Sequence, residues 1–161
     1  MHPNIMIVPF EPWHLEVMNI RPEQEALRTW YKESYGDEYN YGETFLNFAV
    51  KDGDATCAWT ALVDGVVYVS SGIYHITPYM GEAWAVISNN FVDSDRAVKV
   101  RIIREISSAL KRVKLQRIQA NTEVDFHVAR DFLVFLGFVE EGVMESYTPF
   151  GEDSVLYRFE G

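Results

Sequence analysis

Cysteine is almost missing from this chain. Cys57 is the only one in 161 residues, which excludes an internal disulfide and any zinc site built on cysteine. Long apolar runs are missing too, since no stretch approaches the roughly 20 apolar residues that span a bilayer. The opening Met1-His2-Pro3-Asn4 has no basic region leading into an apolar run, so no secretory leader is read there. The expectation is a cytoplasmic protein with no membrane association. Gly-x-Gly-x-x-Gly, Gly-x-x-x-x-Gly-Lys-Ser/Thr and His-Glu-x-x-His do not occur, which leaves dinucleotide, P-loop and zincin chemistry without their motifs, and no metal is expected. Basic residues are scarce, 14 against 24 acidic, for a net charge of −10. Phosphate contacts need a basic surface, so nucleic acid is not an expected partner. Repeats, low-complexity tracts and linkers are also absent, and one domain over residues 1–161 is expected.

What is present points to a packed core and one unusual segment. Hydrophobic residues make up 48% of the chain, enough to bury a core without staples. Eight of the 14 basic residues lie between Arg96 and Arg117, so one helix-sized stretch is basic inside an acidic chain. An anion suits that stretch, and a cationic amine suits the acidic remainder.

Periodicity gives the elements. Residues 5–8 read as a strand, and residues 12–18 and 22–35 as helices with proline at a favoured early position. Residues 36–42 read as a tyrosine-rich loop and 45–50 as a short helix. Residues 56–63 and 66–73, separated by Asp64-Gly65, carry a strong hairpin signal. Residues 83–87 make another strand. Asp93-Ser94-Asp95 supplies capping chemistry for a helix whose Val98, Ile102, Ile106, Leu110 and Val113 recur at helical spacing. Residues 117–120 read as a strand, 125–136 as a helix stopped by Gly137, and 138–147 with 154–159 as a closing hairpin. This order predicts an α+β fold: a mixed, mostly antiparallel sheet of six to seven strands with helices on both faces.

The joint order over about residues 56–161 resembles the GNAT N-acyltransferase superfamily. Phe132-Leu133-Val134-Phe135-Leu136-Gly137-Phe138 looks like that family's helix ending in Leu-Gly-Phe, and Val155-Leu156-Tyr157 after Gly151-Glu152-Asp153 looks like its last hairpin. Ala83-Trp84-Ala85-Val86-Ile87-Ser88 occupies the place of the cofactor-binding strand. With tryptophan in that strand and no glycine loop after it, the chain is most similar to phage-encoded members, for which a virion or host-cytoplasm location and a phage or host protein partner would follow. A homodimer is a further expectation.

The resemblance implies that acetyl-CoA, or another acyl-CoA, lies between two splayed strands, beside an amine acceptor. It places the backbone of Ile87, Ser88 and Asn89 against pantetheine, and the helix start (Asp95, Arg96, Ala97, Val98 and Lys99) against the pyrophosphate. Two departures stand out. Where the family carries Arg/Gln-x-x-Gly-x-Gly/Ala, this chain has Ser94, Ala97 and Lys99, so the loop is degenerate. Where many members place a tyrosine as general acid, it has Leu133. Asn121 either reaches the cofactor or begins the turn into the next helix, and the turn is the favoured reading. Glu82 is the expected base, with His75 as rival; His127 reads as structural or exposed, and Cys57 as a small buried hydrophobe. Two functions follow from these residues: an N-acetyltransferase in which the amine attacks acyl-CoA directly, or, given the lost glycines and tyrosine, a non-catalytic structural or interaction protein on the same scaffold.

Overall fold

Asp64 and Gly65 both take positive φ, 48° and 82°, the backbone of the two-residue turn that matches the right-handed twist of a hairpin. On either side of that turn the computed structural model, which describes residues 2–161, places strands β4 (Ala58–Val63) and β5 (Val66–Thr77). Before them come β1 (Ile5–Pro9), α1 (Trp13–Val17), α2 (Pro22–Tyr35), α3 (Tyr41–Asn47) and a small ribbon of β2 (Lys51–Asp52) and β3 (Ala55–Thr56). After them come β6 (Met80–Ile87), α4 (Asn89–Asp93), α5 (Arg96–Arg112), β7 (Arg117–Glu123), α6 (His127–Leu136), β8 (Phe138–Met144) and β9 (Ser154–Phe159).

Seven strands form one sheet in the order β1-β4-β5-β6-β7-β9-β8. Every neighbouring pair is antiparallel except β6 and β7. The predicted α+β class, mostly antiparallel sheet and helices on both faces are what the chain adopts. On one face Ile102, Ile106 and Leu110 of α5 pack with Phe132 and Leu136 of α6 over Val69, Ile73 and Ile118. On the other, Phe10, Leu15 and Met18 cover Ala58, Val67 and Val86, with Tyr41, Leu46 and Trp84 at the margin. Among the described residues no helix is long and apolar enough to cross a membrane.

Several elements differ from the sequence reading, among them β6, which begins at Met80 and not at residue 83, the unpredicted β2–β3 ribbon, and β8, which ends at Met144. The third helix begins at Tyr41, because the Asn40 side chain accepts the N–H groups of Gly42 and Glu43 and caps it. β5 continues past Ile73 to Thr77 by pairing with the start of β6. The stretch after β6 is the short helix α4, capped by Ser88 Oγ, which accepts the Phe91 N–H at 3.0 Å. β7 does not stop at Ala120 but runs to Glu123, paired to β9 throughout its second half.

Gly72 is fixed by a close approach. A Cβ there would lie 2.8 Å from the Cys57 carbonyl oxygen and 2.9 Å from Trp84 Nε1. The missing side chain is the space the indole occupies.

Candidate active site

Strands β6 and β7 run together for only three residue pairs, Met80 with Arg117, Gly81 with Ile118 and Glu82 with Gln119. Beyond Glu82 they part. The alternation of the two strands puts Glu82 and Trp84 on the same face as Gln119, Asn121 and Glu123, toward α1–α3. The opposite residues of β7, Ile118, Ala120 and Thr122, are buried. The sequence Arg117-Ile-Gln-Ala-Asn-Thr-Glu123 is thus a polar stripe bordering an opening.

Glu82 lies at the point where the strands diverge. It is 8% exposed, and its carboxylate accepts Gln119 Nε2 at 3.1 Å and Asn121 Nδ2 at 2.7 Å. The network continues outward: Arg117 Nε donates to Gln119 Oε1 at 2.9 Å, and the Arg117 guanidinium pairs with Glu141. Burial pushes the Glu82 carboxyl above the ordinary carboxylate range, and the two amide donors and Arg117 pull it partly back. A buried carboxylate held by neutral amides is a better proton acceptor than one in water. Tyr74, its partner across β5 and β6, has its hydroxyl pushed up to about 12, first by burial and then by the Glu82 charge, and stays protonated.

On the α1–α3 side the opening widens into a cleft of about 910 Å³ that Glu82, Asn121, Glu123, Trp84 and Tyr147 line. On the α5–α6 side it narrows to about 60 Å³ among Ala83, Ala85, Ala120, Leu133 and Phe138. Gln24 of α2 lines both parts. It donates from Nε2 to the Ala85 carbonyl and accepts the Ile87 N–H on Oε1, both at 2.7 Å. Its amide pairs with the free edge of β6 as the next strand would. Gln24 was not among the residues read from the sequence, and nothing local to α2 marks it.

The fold has counterparts among solved structures. No family model and no curated protein sequence matches this chain. Solved structures do match. A GNAT-family acetyltransferase from Bacillus anthracis is similar over 96% of this chain and 93% of its own, with a TM-score of 0.63 at 14% identity. Another from Streptococcus pneumoniae is similar over 96% and 98%, with a TM-score of 0.61 at 18% identity. The fold is the GNAT acetyltransferase fold. A protein from Salmonella typhimurium described as an acetyltransferase, and solved with its cofactor acetyl-CoA, shares this GNAT fold over 96% of this chain and 92% of its own, with a TM-score of 0.56 at 12% identity.

Of the sequence candidates, Glu82, Asn121 and His75 line the opening and the others do not all meet there. His75 lies on its rim, exposed at the end of β5, with Nδ1 3.2 Å from the Thr77 carbonyl. His127 is exposed on the first turn of α6, and Cys57 is buried in the core. Asn121 is not the start of a turn: it is inside β7, opposite Leu156, with its side chain on Glu82. The backbone donors expected against pantetheine already have partners. Ser88 N–H pairs with the Tyr68 carbonyl and Asn89 N–H with the Asn19 carbonyl, both outside the opening. The Ala85 carbonyl and the Ile87 N–H face it, under Gln24.

The start of α5 offers a different kind of contact. Asp95 holds an extended N-cap backbone, yet its carboxylate caps nothing, so the N–H groups of Arg96, Ala97 and Val98 lack intrahelical partners. Arg96 and Ala97 are exposed and Lys99 is half-buried, while the Val98 side chain is in the core. Among the described residues no cluster of His, Cys, Asp and Glu is placed to hold a metal ion.

Proposed function

We propose that this protein is an acyl-CoA-dependent N-acyltransferase, a single domain that passes an acetyl or other acyl group to an amine. The observation that carries the reading is the parting of β6 from β7 immediately after a buried carboxylate, with an aromatic cleft on one side. The edge of β6 fits a pantetheine amide, because a side-chain amide already pairs there in strand fashion. Acyl-CoA would take that edge once Gln24 swings away, with the Ala85 carbonyl and Ile87 N–H as its partners. The uncapped N–H groups of Arg96, Ala97 and Val98 and the Arg96 and Lys99 side chains would meet the pyrophosphate. No glycine is needed for these N–H groups to be accessible, though Lys99 puts a side chain where glycine would leave bare backbone.

When bound, acyl-CoA supplies the thioester carbonyl and a thiolate leaving group. The chain's own part is to make the amine nucleophilic and hold it in line. An acceptor enters the cleft as an ammonium, attracted by Glu82 and Glu123. Glu82, ionised, takes one of its protons, directly or through a water, and leaves a neutral nitrogen whose lone pair attacks the carbonyl carbon. The C–N bond forms as the C–S bond breaks, the thiolate departs with the C–S electron pair, and the second proton on the amine nitrogen passes to water. Gln119 and Asn121 keep the carboxylate oriented between these events. Leu133 cannot donate a proton to the departing sulfur, and a thiolate needs none to leave.

The second reading, a non-catalytic protein on the same scaffold, draws on Gln24 closing the β6 edge and on the missing glycines. Calorimetry separates the two. Acetyl-CoA at high micromolar concentration releases heat if the opening accepts it, and absence of heat would overturn the enzyme.

A further inference from the structure

The cleft beside Glu82 says more about its ligand than that it is an amine. Ten aromatic residues line it, together with Glu82 and Glu123, and no lysine or arginine does. They arrive from four separate parts of the fold: Tyr31 and Tyr35 from α2, Tyr39 and Tyr41 around the start of α3, Tyr74 and Trp84 from the sheet, and Tyr147 from the loop between β8 and β9. A hydrophobic core would close such rings away from water. Here Tyr35 is 64% exposed and Tyr147 54%, at the mouth of an open cleft. The rings also stand in planar ladders. Tyr31 stacks with Tyr39 at 5.5 Å and with Tyr41 at 6.2 Å, and Phe45 stacks on Trp84 at 4.0 Å and on Tyr74 at 6.2 Å. The second ladder ends beside the carboxylate, because Tyr74 and Glu82 are cross-strand partners.

We infer that the ligand of this cleft is a small cationic amine carrying a planar aromatic body, its ammonium toward Glu82 and its ring among the tyrosines. Flat rings offer parallel faces to a planar ligand, and those faces attract a cation that has lost its water. Two carboxylates in a cleft that no lysine or arginine lines, with Arg117 behind Gln119 already paired to Glu141 and His75 at the rim, favour positive charge over an anion of the same shape. The volume of about 910 Å³ is in the range of small-molecule sites. The fate of the bound amine rests on the acyl-transfer reading, but its recognition does not.

The test is binding to the full chain without acyl-CoA, followed by tryptophan fluorescence, since Trp30 and Trp84 line the cleft. The probes are 2-phenylethylamine, butylamine (charge without ring), spermidine (charge without ring) and 3-phenylpropionate (ring with opposite charge). The expected result is 2-phenylethylamine binding at least about tenfold more tightly than butylamine or spermidine, with no detectable binding of 3-phenylpropionate. Tyr39→Ala and Tyr147→Ala, both outside helices and strands, should each weaken 2-phenylethylamine several-fold and leave spermidine unchanged. Equal binding of the three amines, a preference for spermidine, or binding of the carboxylate overturns the inference. Adding acetyl-CoA and following thiol release separates the two claims. Selective binding without thiol release refutes acyl transfer and leaves the cleft's preference standing. Acetylation of spermidine or a lysine peptide without selective aryl amine binding does the reverse.

Discussion

Asn121 Nδ2 stands 2.7 Å from Glu82 Oε1, two residues past the last position at which β6 and β7 remain paired. The bond spans the beginning of the opening and holds the carboxylate at its apex. Together with Gln119 it favours the charged form of a group that burial would keep neutral.

Removing these partners should therefore move the pH dependence in a defined direction. Glu82→Gln is expected to lower kcat by about 10²–10⁴-fold, the usual range for a positioned base, with acetyl-CoA affinity little changed. Asn121→Ala takes away a donor to the ionised form, so the Glu82 pKa rises and the acidic limb of the rate profile moves to higher pH. Rates measured from pH 5 to 9 decide this; an unmoved limb would show that Glu82 is not the group that titrates.

The same carboxyl links stability to pH. Its folded pKa lies above its unfolded one, so its contribution is fully present below the unfolded value and is lost as pH rises through the folded value. Wild type should lose stability relative to Glu82→Gln over that interval, on going from acid toward neutral. Urea midpoints at pH 4.5 and 7.5 test it, and a constant difference between the two proteins would contradict the assignment of Glu82 as a raised carboxyl.

If the α5 tip meets a pyrophosphate, its charges matter only for ligands that carry one. Arg96→Glu with Lys99→Glu should weaken acetyl-CoA by about tenfold or more, consistent with two charge contacts near a helix N-terminus, while leaving an acyl-pantetheine fragment unaffected. Calorimetry at 50 and 300 mM salt checks this, since screening should narrow the gap between wild type and variant. Equal losses for both ligands would mean the helix had been disturbed instead.

The sequence announces the fold more clearly than the site. The Asp64-Gly65 turn and the helical spacing from Val98 to Leu110 are local patterns with local causes, and they place β4, β5 and α5 correctly. The polar half of β7 was harder to read because Asn121 and Glu123 have low strand propensity; their alternation with buried Ala120 and Thr122 was the available signal. Glu82 is identifiable by its place at the start of a strand, but Gln119, which shares its hydrogen bonds, looked like any surface glutamine. Gln24 was illegible. Its partners are 61 and 63 residues away, and no periodicity records a contact of that span.

Gly72→Ala tests the space made for the indole. A methyl group 2.8 Å from a backbone oxygen and 2.9 Å from Trp84 Nε1 forces the strands apart or turns the tryptophan. The expected cost is about 1–3 kcal/mol, read by chemical denaturation, with altered tryptophan emission. A stability within error of wild type would mean that Trp84 moves without consequence, and that the ladder from Phe45 to Trp84 does not depend on the glycine.

Gln24→Ala gives the sharpest test of how the opening is used. The glutamine makes two hydrogen bonds to the β6 edge, each contributing about 1 kcal/mol net, and a ligand amide that needs the same two groups must first displace it. Removing the side chain leaves the Ala85 carbonyl and the Ile87 N–H to water, so the free protein should lose about 1–2 kcal/mol of stability. That loss returns as affinity, because acyl-CoA no longer competes with the clasp, and its Kd should fall by about tenfold. Lower stability with unchanged affinity would place pantetheine elsewhere. Lower stability with no acyl-CoA binding in either protein would mean that the clasp is a structural strut on a scaffold that has given up the reaction.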